Sequence, residues 1–336
     1  MKKIYFIGID VSKRTLDFCI LSDGKILKEE KIANHPAAIK LFLQELVAEY
    51  SLQRANCILC AEYTGHYTYP LACTAESEDL PLWLENPSQI KYSSGITRGK
   101  NDKVDARRIA QYACRFQDQT KLHSQPEKVL QTLKELYNER ELLTEHKKAY
   151  LILVSDHKGF MDKDIYTCKK NRITPLIEQL ENTIKAIKEQ IREIINSSRL
   201  ISRQMKLLKS VEGVGEKTAL KMIIETRAFT QFADHRKFCC HAGVAPFSYT
   251  SGSSIHSKNK VSNRADKSIK KMLHLAALSI TTKKNGELVQ YYHRKVAEGK
   301  NKMTVINVIR AKIVARMFSV IRNDREYVLN QQNKVA

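Results

Sequence analysis

The sequence predicts an α/β domain at its N-terminal end, a helical linker in the middle and a mainly α-helical, basic C-terminal domain. Three observations predict this. Short β-rich runs crowd into the first 85 residues. Isoleucine and leucine recur at alternating three- and four-residue steps from 177 onward. The positive charge is concentrated beyond residue 200. A chain of 336 residues exceeds what one core usually serves. The boundaries that follow are 1–125, 126–200 and 201–336.

The N-terminal elements read in order as follows. Residues 4–10 (IYFIGID), 16–21 (LDFCIL) and 25–33 (KILKEEKIA) are β-rich, and Asp23-Gly24 between the last two is a hairpin turn signal. After Pro36, Ile39, Leu43, Leu46 and Val47 have helical spacing. A second apolar run, 57–61, ends at Glu62; a helix and a further run, 80–84, follow. Three strands, then helix, strand, helix, strand, helix is the element order of a ribonuclease-H-like domain.

In the middle segment, Ile177, Leu180, Ile184, Ile187, Ile191 and Ile194 form a coiled-coil seam, continued by Ile201. An earlier helix over about 128–154 carries Val129, Leu133, Leu136, Leu143, Tyr150 and Val154. The two helices either fold back on each other across a polar loop at 155–172 or pair with a second copy. The C-terminal segment opens on Glu212-Gly213-Val214-Gly215-Glu216-Lys217, a glycine turn entering a helix. Its free N–H groups suit a phosphate, as in a helix-hairpin-helix element, although an ordinary helix–helix turn reads the same way. Beyond it lie His241-Ala242-Gly243-Val244-Ala245-Pro246, the polar stretch Tyr249 to Ser254, and a basic tract of Lys258, Lys260, Arg264, Lys267, Lys270 and Lys271. Residues 268–322 read as helices.

The formal net charge is +21. Residues 1–125 hold 17 basic and 15 acidic side chains, and residues 201–336 hold 26 and 9. Such segregation points to a polyanionic partner gripped by the last third of the chain. At 43% hydrophobic and 28% charged, the composition excludes wholesale disorder. No apolar stretch approaches the length of a membrane span and the start lacks a signal-peptide pattern, so a cytoplasmic protein is expected, with no membrane partner. The eight cysteines are then reduced thiols; Cys57 and Cys60 lie in a strand with no second pair to complete a zinc site.

Four acids stand where a ribonuclease-H-like sheet collects metal ligands. Asp10 closes Ile7-Gly8-Ile9-Asp10, where an acid is costly unless it binds something. Glu62 ends the fourth strand. Asp102 and Asp105 sit three apart on a helix, with Cβ atoms about 5–6 Å apart on one face. Taken singly, Asp102 reads as a helix cap, Asp105 as a partner of Arg108 and Glu62 as a solvated strand-end acid. Taken together, four convergent carboxylates suit two Mg²⁺ ions, which polarise a scissile phosphate.

Three stretches resemble the acidic motifs of the DEDD-type insertion-sequence transposases, recombinases guided by a bridge RNA: Gly8-Ile9-Asp10-Val11-Ser12-Lys13, Glu62-Tyr63-Thr64-Gly65-His66-Tyr67 and Lys100-Asn101-Asp102-Lys103-Val104-Asp105-Ala106. The stretches around Gly213-Val214-Gly215, His241 to Pro246 and Ser251-Gly252 resemble the transposase domain of the same family. The resemblance implies a RuvC-like N-terminal domain and a C-terminal domain with a nucleophilic serine that forms a covalent phosphoserine with DNA. On this reading Asp10, Glu62, Asp102 and Asp105 hold Mg²⁺, or Mn²⁺ in its place, and Ser251 is the nucleophile. Gly213, Gly215, Lys217 and the basic tract contact nucleic acid. Asn101 departs from the threonine frequent in the family, and Ser253 and Ser254 compete with Ser251 for the role.

The implied partners are donor and target duplex DNA, a non-coding guide RNA, and further copies of the chain as a dimer or tetramer, in a bacterial, nucleoid-associated setting. Two other functions fit the same residues. One is a metal-only RuvC-type nuclease or junction resolvase, with Ser251 a loop serine. The other is a non-catalytic nucleic-acid-binding protein.

Overall fold

The computed structural model describes residues 4–93, 102–124, 127–251, 255–261 and 265–328, with side chains left aside at 102, 103, 248–251 and 255–260. It divides into two compact units, Met1–Gln125 and Pro126–Ala336.

The first unit is built on a five-stranded sheet. Strands β1 (Tyr5–Val11), β2 (Thr15–Ser22) and β3 (Lys25–Ala33) form an antiparallel meander, and helix α1 (Pro36–Tyr50) leads to β4 (Cys57–Glu62). Helix α2 (Tyr69–Ser77), β5 (Leu82–Glu85), α3 (Pro87–Ser93) and α4 (Asp102–Arg115) complete it. The sheet order is β3-β2-β1-β4-β5, with β1, β4 and β5 parallel, and the three-stranded meander expected from sequence forms one side of it. Asp23 and Gly24, with φ of 47° and 76°, make the tight turn between β2 and β3.

Each face of the sheet buries its own core. Ile7, Ile9, Leu16, Phe18, Ile20 and Leu59 meet Ile39, Phe42, Leu43 and Leu46 of α1 and Leu71 of α2. The opposite residues, Phe6, Cys19, Leu21, Ile58, Cys60 and Trp83, meet Ala106, Ile109, Ala110 and Ala113 of α4. Because strand side chains alternate, Cys57 and Cys60 belong to opposite cores and cannot share a metal. Helix α4 comes very close to β1. A Cβ on Gly8 would stand 2.2 Å from the Ala106 carbonyl oxygen and 2.3 Å from the Ala110 nitrogen. At its outer side Arg107 makes a two-pronged ion pair with Glu29 of β3, through Nε to Oε1 and through Nη2 to Oε2, the latter at 2.6 Å.

The second unit begins with α5 (Lys128–Asp156) and α6 (Lys163–Ser197), which pack together within the chain. Of the seam, Ile184, Ile187, Ile191 and Ile201 are buried, and Ile177, Leu180 and Ile194 half-buried. The loop expected over 155–172 is shorter than its polarity suggests. Asp162 accepts hydrogen bonds from the Asp164 and Ile165 N–H groups, and this cap starts α6 at Lys163. Helices α7 (Arg199–Lys209), α8 (Glu216–Glu225) and α9 (His235–His241) follow. A β-hairpin, β6 (Pro246–Ser251) and β7 (Ile255–Val261), then leads to α10 (Lys267–Thr281), α11 (Glu287–Ala297) and α12 (Lys302–Arg322). The core of this unit runs from Leu130 and Leu133 through Ile191, Leu208 and Ile223 to Ile309 and Val314. Among the described residues no helix is long and apolar enough to cross a membrane.

Candidate active site

The sheet register sets acidic residues in one row. Asp10 pairs with Asp17 across β1 and β2, and Asp17 pairs with Lys31 on β3. On the parallel side Ile9 pairs with Ala61, so Asp10 and Glu62 are the next residues along adjacent strands, and Glu62 pairs with Glu85 of β5. Neighbouring strands lie about 4.8 Å apart. Alternation sends Asp10, Asp17, Glu62 and Glu85 to the face covered by α4, since Gly8, Cys19, Cys60 and Trp83, each two residues away along the same strand, meet that helix. Asp10, Glu62 and Glu85 stand at or next to the C-terminal ends of the three parallel strands.

Helix α4, which covers this face, carries the remaining two acids of the predicted set. Asp102 is its first residue, with its carboxylate outside the described residues, and Asp105 directly precedes Ala106, which lies over Gly8. Asp10, Glu62 and Asp105 are each half-buried. Asp105 accepts a hydrogen bond from Arg108 Nη1 at 2.9 Å, the partnership its i+3 spacing suggests. The donors offered by the predicted set are carboxylate oxygens throughout. That chemistry fits a hard divalent cation such as Mg²⁺ and no soft metal.

Two acids at this level are absent from the residues picked out by sequence. Asp17 is 5% exposed and sits 3.2 Å from Lys31 Nζ. Glu85 accepts from its neighbour's Asn86 N–H at 2.7 Å and from the Tyr112 hydroxyl at 3.2 Å. Burial first, then the Glu85 charge, push the Tyr112 hydroxyl up; burial followed by Glu85 and Glu62 do the same to the Cys60 thiol. Burial also raises the Cys19 thiol to about 11, with Glu29 adding to it and Arg107 opposing. These thiols are therefore protonated packing groups. The signal for Glu85 was present in the sequence: it ends Leu82-Trp83-Leu84-Glu85 as Glu62 ends its own apolar run.

In the second unit, Ser251 is the last residue of β6 and pairs with Ile255, so its backbone is at the tip of the hairpin. Its side chain, with those of Lys258 and Lys260, lies outside the described residues, as do Gly252, Ser253, Ser254 and Arg264 entirely. Gly213, at φ 81°, packs against α10, where a Cβ would meet Ile280 Cδ1 at 2.7 Å. Gly215 caps α8. Lys217 is exposed and bonds Glu141 Oε2 at 2.5 Å. On α10, Lys267 and Lys271 are exposed and Lys270 half-buried.

Two family models match, in order, along the chain. A DEDD-type transposase model of the IS110 kind covers residues 7–151, and the model described as transposase IS116/IS110/IS902 family covers 205–293. The chain belongs to this transposase family. Relatives agree: the pilin gene-inverting protein of Moraxella lacunata is 26% identical over 97% of this chain and 98% of its own. The transposase for insertion sequence element IS1111A of Coxiella burnetii (strain RSA 493 / Nine Mile phase I) is 23% identical over 75% of this chain and 71% of its own. Among solved structures, "T. thermophilus RuvC in complex with Holliday junction substrate" matches at TM-score 0.28 and 14% identity, covering 36% of this chain and 99% of that one. This transposase is accordingly an enzyme of DNA transposition and recombination.

Proposed function

We propose that the transposase exchanges DNA strands through a covalent phosphoserine formed on Ser251, with Asp10, Glu62, Asp102 and Asp105 holding Mg²⁺. The observation that carries this reading is the carboxylate row: Asp10 and Glu62 lie side by side on adjacent parallel strands, beneath the helix that bears Asp102 and Asp105. When bound, the ions polarise the scissile phosphate and offset the charge that gathers on it. The Ser251 oxygen forms the new bond to phosphorus as the bond to one DNA oxygen breaks. The displaced strand end receives the serine proton, so one phosphodiester replaces another. No ATP is needed, in keeping with a sequence that has no G-x-x-x-x-G-K-[ST] loop.

The name of the pilin gene-inverting relative supports a rearrangement of DNA segments as the outcome. A guide RNA would select the target, held by shape, phosphate and 2′-hydroxyl contacts with the basic tract. Gly213, Gly215 and Lys217 would add backbone contacts, and more than one copy of the chain would bring donor and target together.

The experiment is trapping of a denaturant-stable protein–DNA adduct. The adduct is expected with the parent chain and absent with Ser251→Ala. Asp10→Asn should abolish exchange while leaving DNA binding in place. Normal recombination by Ser251→Ala would overturn the serine reading in favour of a metal-only nuclease.

A further inference from the structure

A second group of potential metal ligands lies in the other unit. Glu225 ends α8, His241 ends α9 and Asp266 is the N-cap of α10; one ligand atom from each lies within 4.8 Å of the other two. We propose that these three residues form a site for a borderline divalent ion of the Zn²⁺ class, separate from the carboxylate row, which clamps the base of the hairpin carrying Ser251.

The donor set argues for the ion. One imidazole nitrogen with two carboxylate oxygens is a set that zinc and its first-row neighbours take, whereas Mg²⁺ prefers oxygen alone. Two carboxylates this close repel unless a cation joins them. Lys221 reaches Glu225 Oε1 at 2.6 Å, and Asp266 Oδ1 accepts the Ile269 N–H at 2.9 Å. Each carboxylate has a second oxygen for an ion. His241 is exposed, so an ion arrives from solvent, while its ring is held by Phe232 and Phe238 with centroids at 5.3 and 5.9 Å.

The placement argues for the role. Residues 242–265, including the whole hairpin, lie between His241 and Asp266, and the Asp266 N–H already donates to the His241 carbonyl at 3.1 Å. An ion across the same two residues adds a side-chain tie to this backbone tie and anchors both onto α8 through Glu225. Ser251 is at the far end of β6, so the clamp is a positioning device for the hairpin and does no chemistry.

The test is titration of the chelator-treated full chain with Zn²⁺ by calorimetry, in an Asp10→Asn, Glu62→Gln background that silences the carboxylate row. One ion per chain is expected. Affinity should fall roughly tenfold or more in His241→Ala and in Asp266→Asn, since even outer-shell partners act on that scale. Asp266→Asn removes the charge and still caps α10, so its loss of binding is not a loss of folding. With Co²⁺ as the probe, visible ligand-field bands should appear and vanish in His241→Ala. Zn²⁺ affinity unchanged in both variants, or no binding by the parent, overturns the site. Either result leaves the adduct experiment on Ser251 unaffected.

Discussion

Gly8 shapes the acid-bearing face of the sheet by having no side chain. Its position beneath Ala106 and Ala110 lets α4 sit against β1, and the same contact sets how far Asp102 and Asp105 stand from Asp10. A methyl there meets backbone, which cannot swing away, so α4 must retreat. Overpacking of this kind costs about 1–3 kcal/mol. Gly8→Ala should therefore lower the thermal midpoint by several degrees and raise the Mg²⁺ concentration needed for DNA cleavage. A variant with the parent's melting curve and Mg²⁺ dependence would show that the helix has slack. The glycine was visible in Ile7-Gly8-Ile9-Asp10, but its purpose was not, because the helix it meets is almost a hundred residues away in sequence. Asp10 and Glu62 were legible because an acid ending an apolar strand is conspicuous. Asp17 escaped because it lies inside a β-rich run, where its neighbours on both sides advertise only burial.

At the scale of elements, α10 and α12 are joined by an uncommon pair. Arg310, 6% exposed, brings Nη2 within 2.5 Å of His274 Nδ1, and its Nε has no hydrogen-bond partner among the described residues. Burial and the Arg310 charge hold His274 below its usual range, and burial lowers Arg310 as well. His274 is then a neutral acceptor in the folded protein. Around pH 6.5 and below, the unfolded chain takes up a proton that the folded one resists, so stability falls as pH falls through that value. His274→Gln keeps an acceptor and removes the titration. Its thermal midpoint should drop less than the parent's between pH 7.5 and pH 5.5, measured by circular dichroism; parallel curves would remove His274 as the cause. Beside it, Asn307 Nδ2 donates to the Val244 carbonyl at 2.8 Å, fastening α12 to the segment that leads into the hairpin. The helices themselves were readable from apolar spacing. The start of α6 was not, because the lysines and polar residues of 163–172 carry no apolar stripe and only the Asp162 cap marks the boundary. The hairpin was missed for a related reason: Tyr249 to Ser254 is polar throughout, and polarity reads as loop.

For the whole molecule, the charge map and the acid row make opposite demands on DNA. Residues 1–125 are near neutral overall yet gather Asp10, Asp17, Glu62 and Glu85 at one level of the sheet, a surface that repels phosphate until cations occupy it. Residues 201–336, with 26 basic against 9 acidic side chains, are the segment expected to attract phosphate. Binding should therefore separate from catalysis: affinity for duplex DNA follows the basic segment and salt, and cleavage follows divalent cation. Each phosphate contact contributes a slope of about 0.9 in log affinity against log salt. Fluorescence anisotropy of a labelled duplex between about 50 and 300 mM KCl should show a steep decline, nearly the same in the parent and in Asp10→Asn. Replacing Lys258, Lys260 or Arg264 with alanine should each flatten the slope by about one unit while shifting all sequences equally, as a phosphate contact does. Substitutions that leave the slope intact would move the DNA path off these three residues and onto the exposed lysines of α10, where Lys267→Ala and Lys271→Ala would then carry the change.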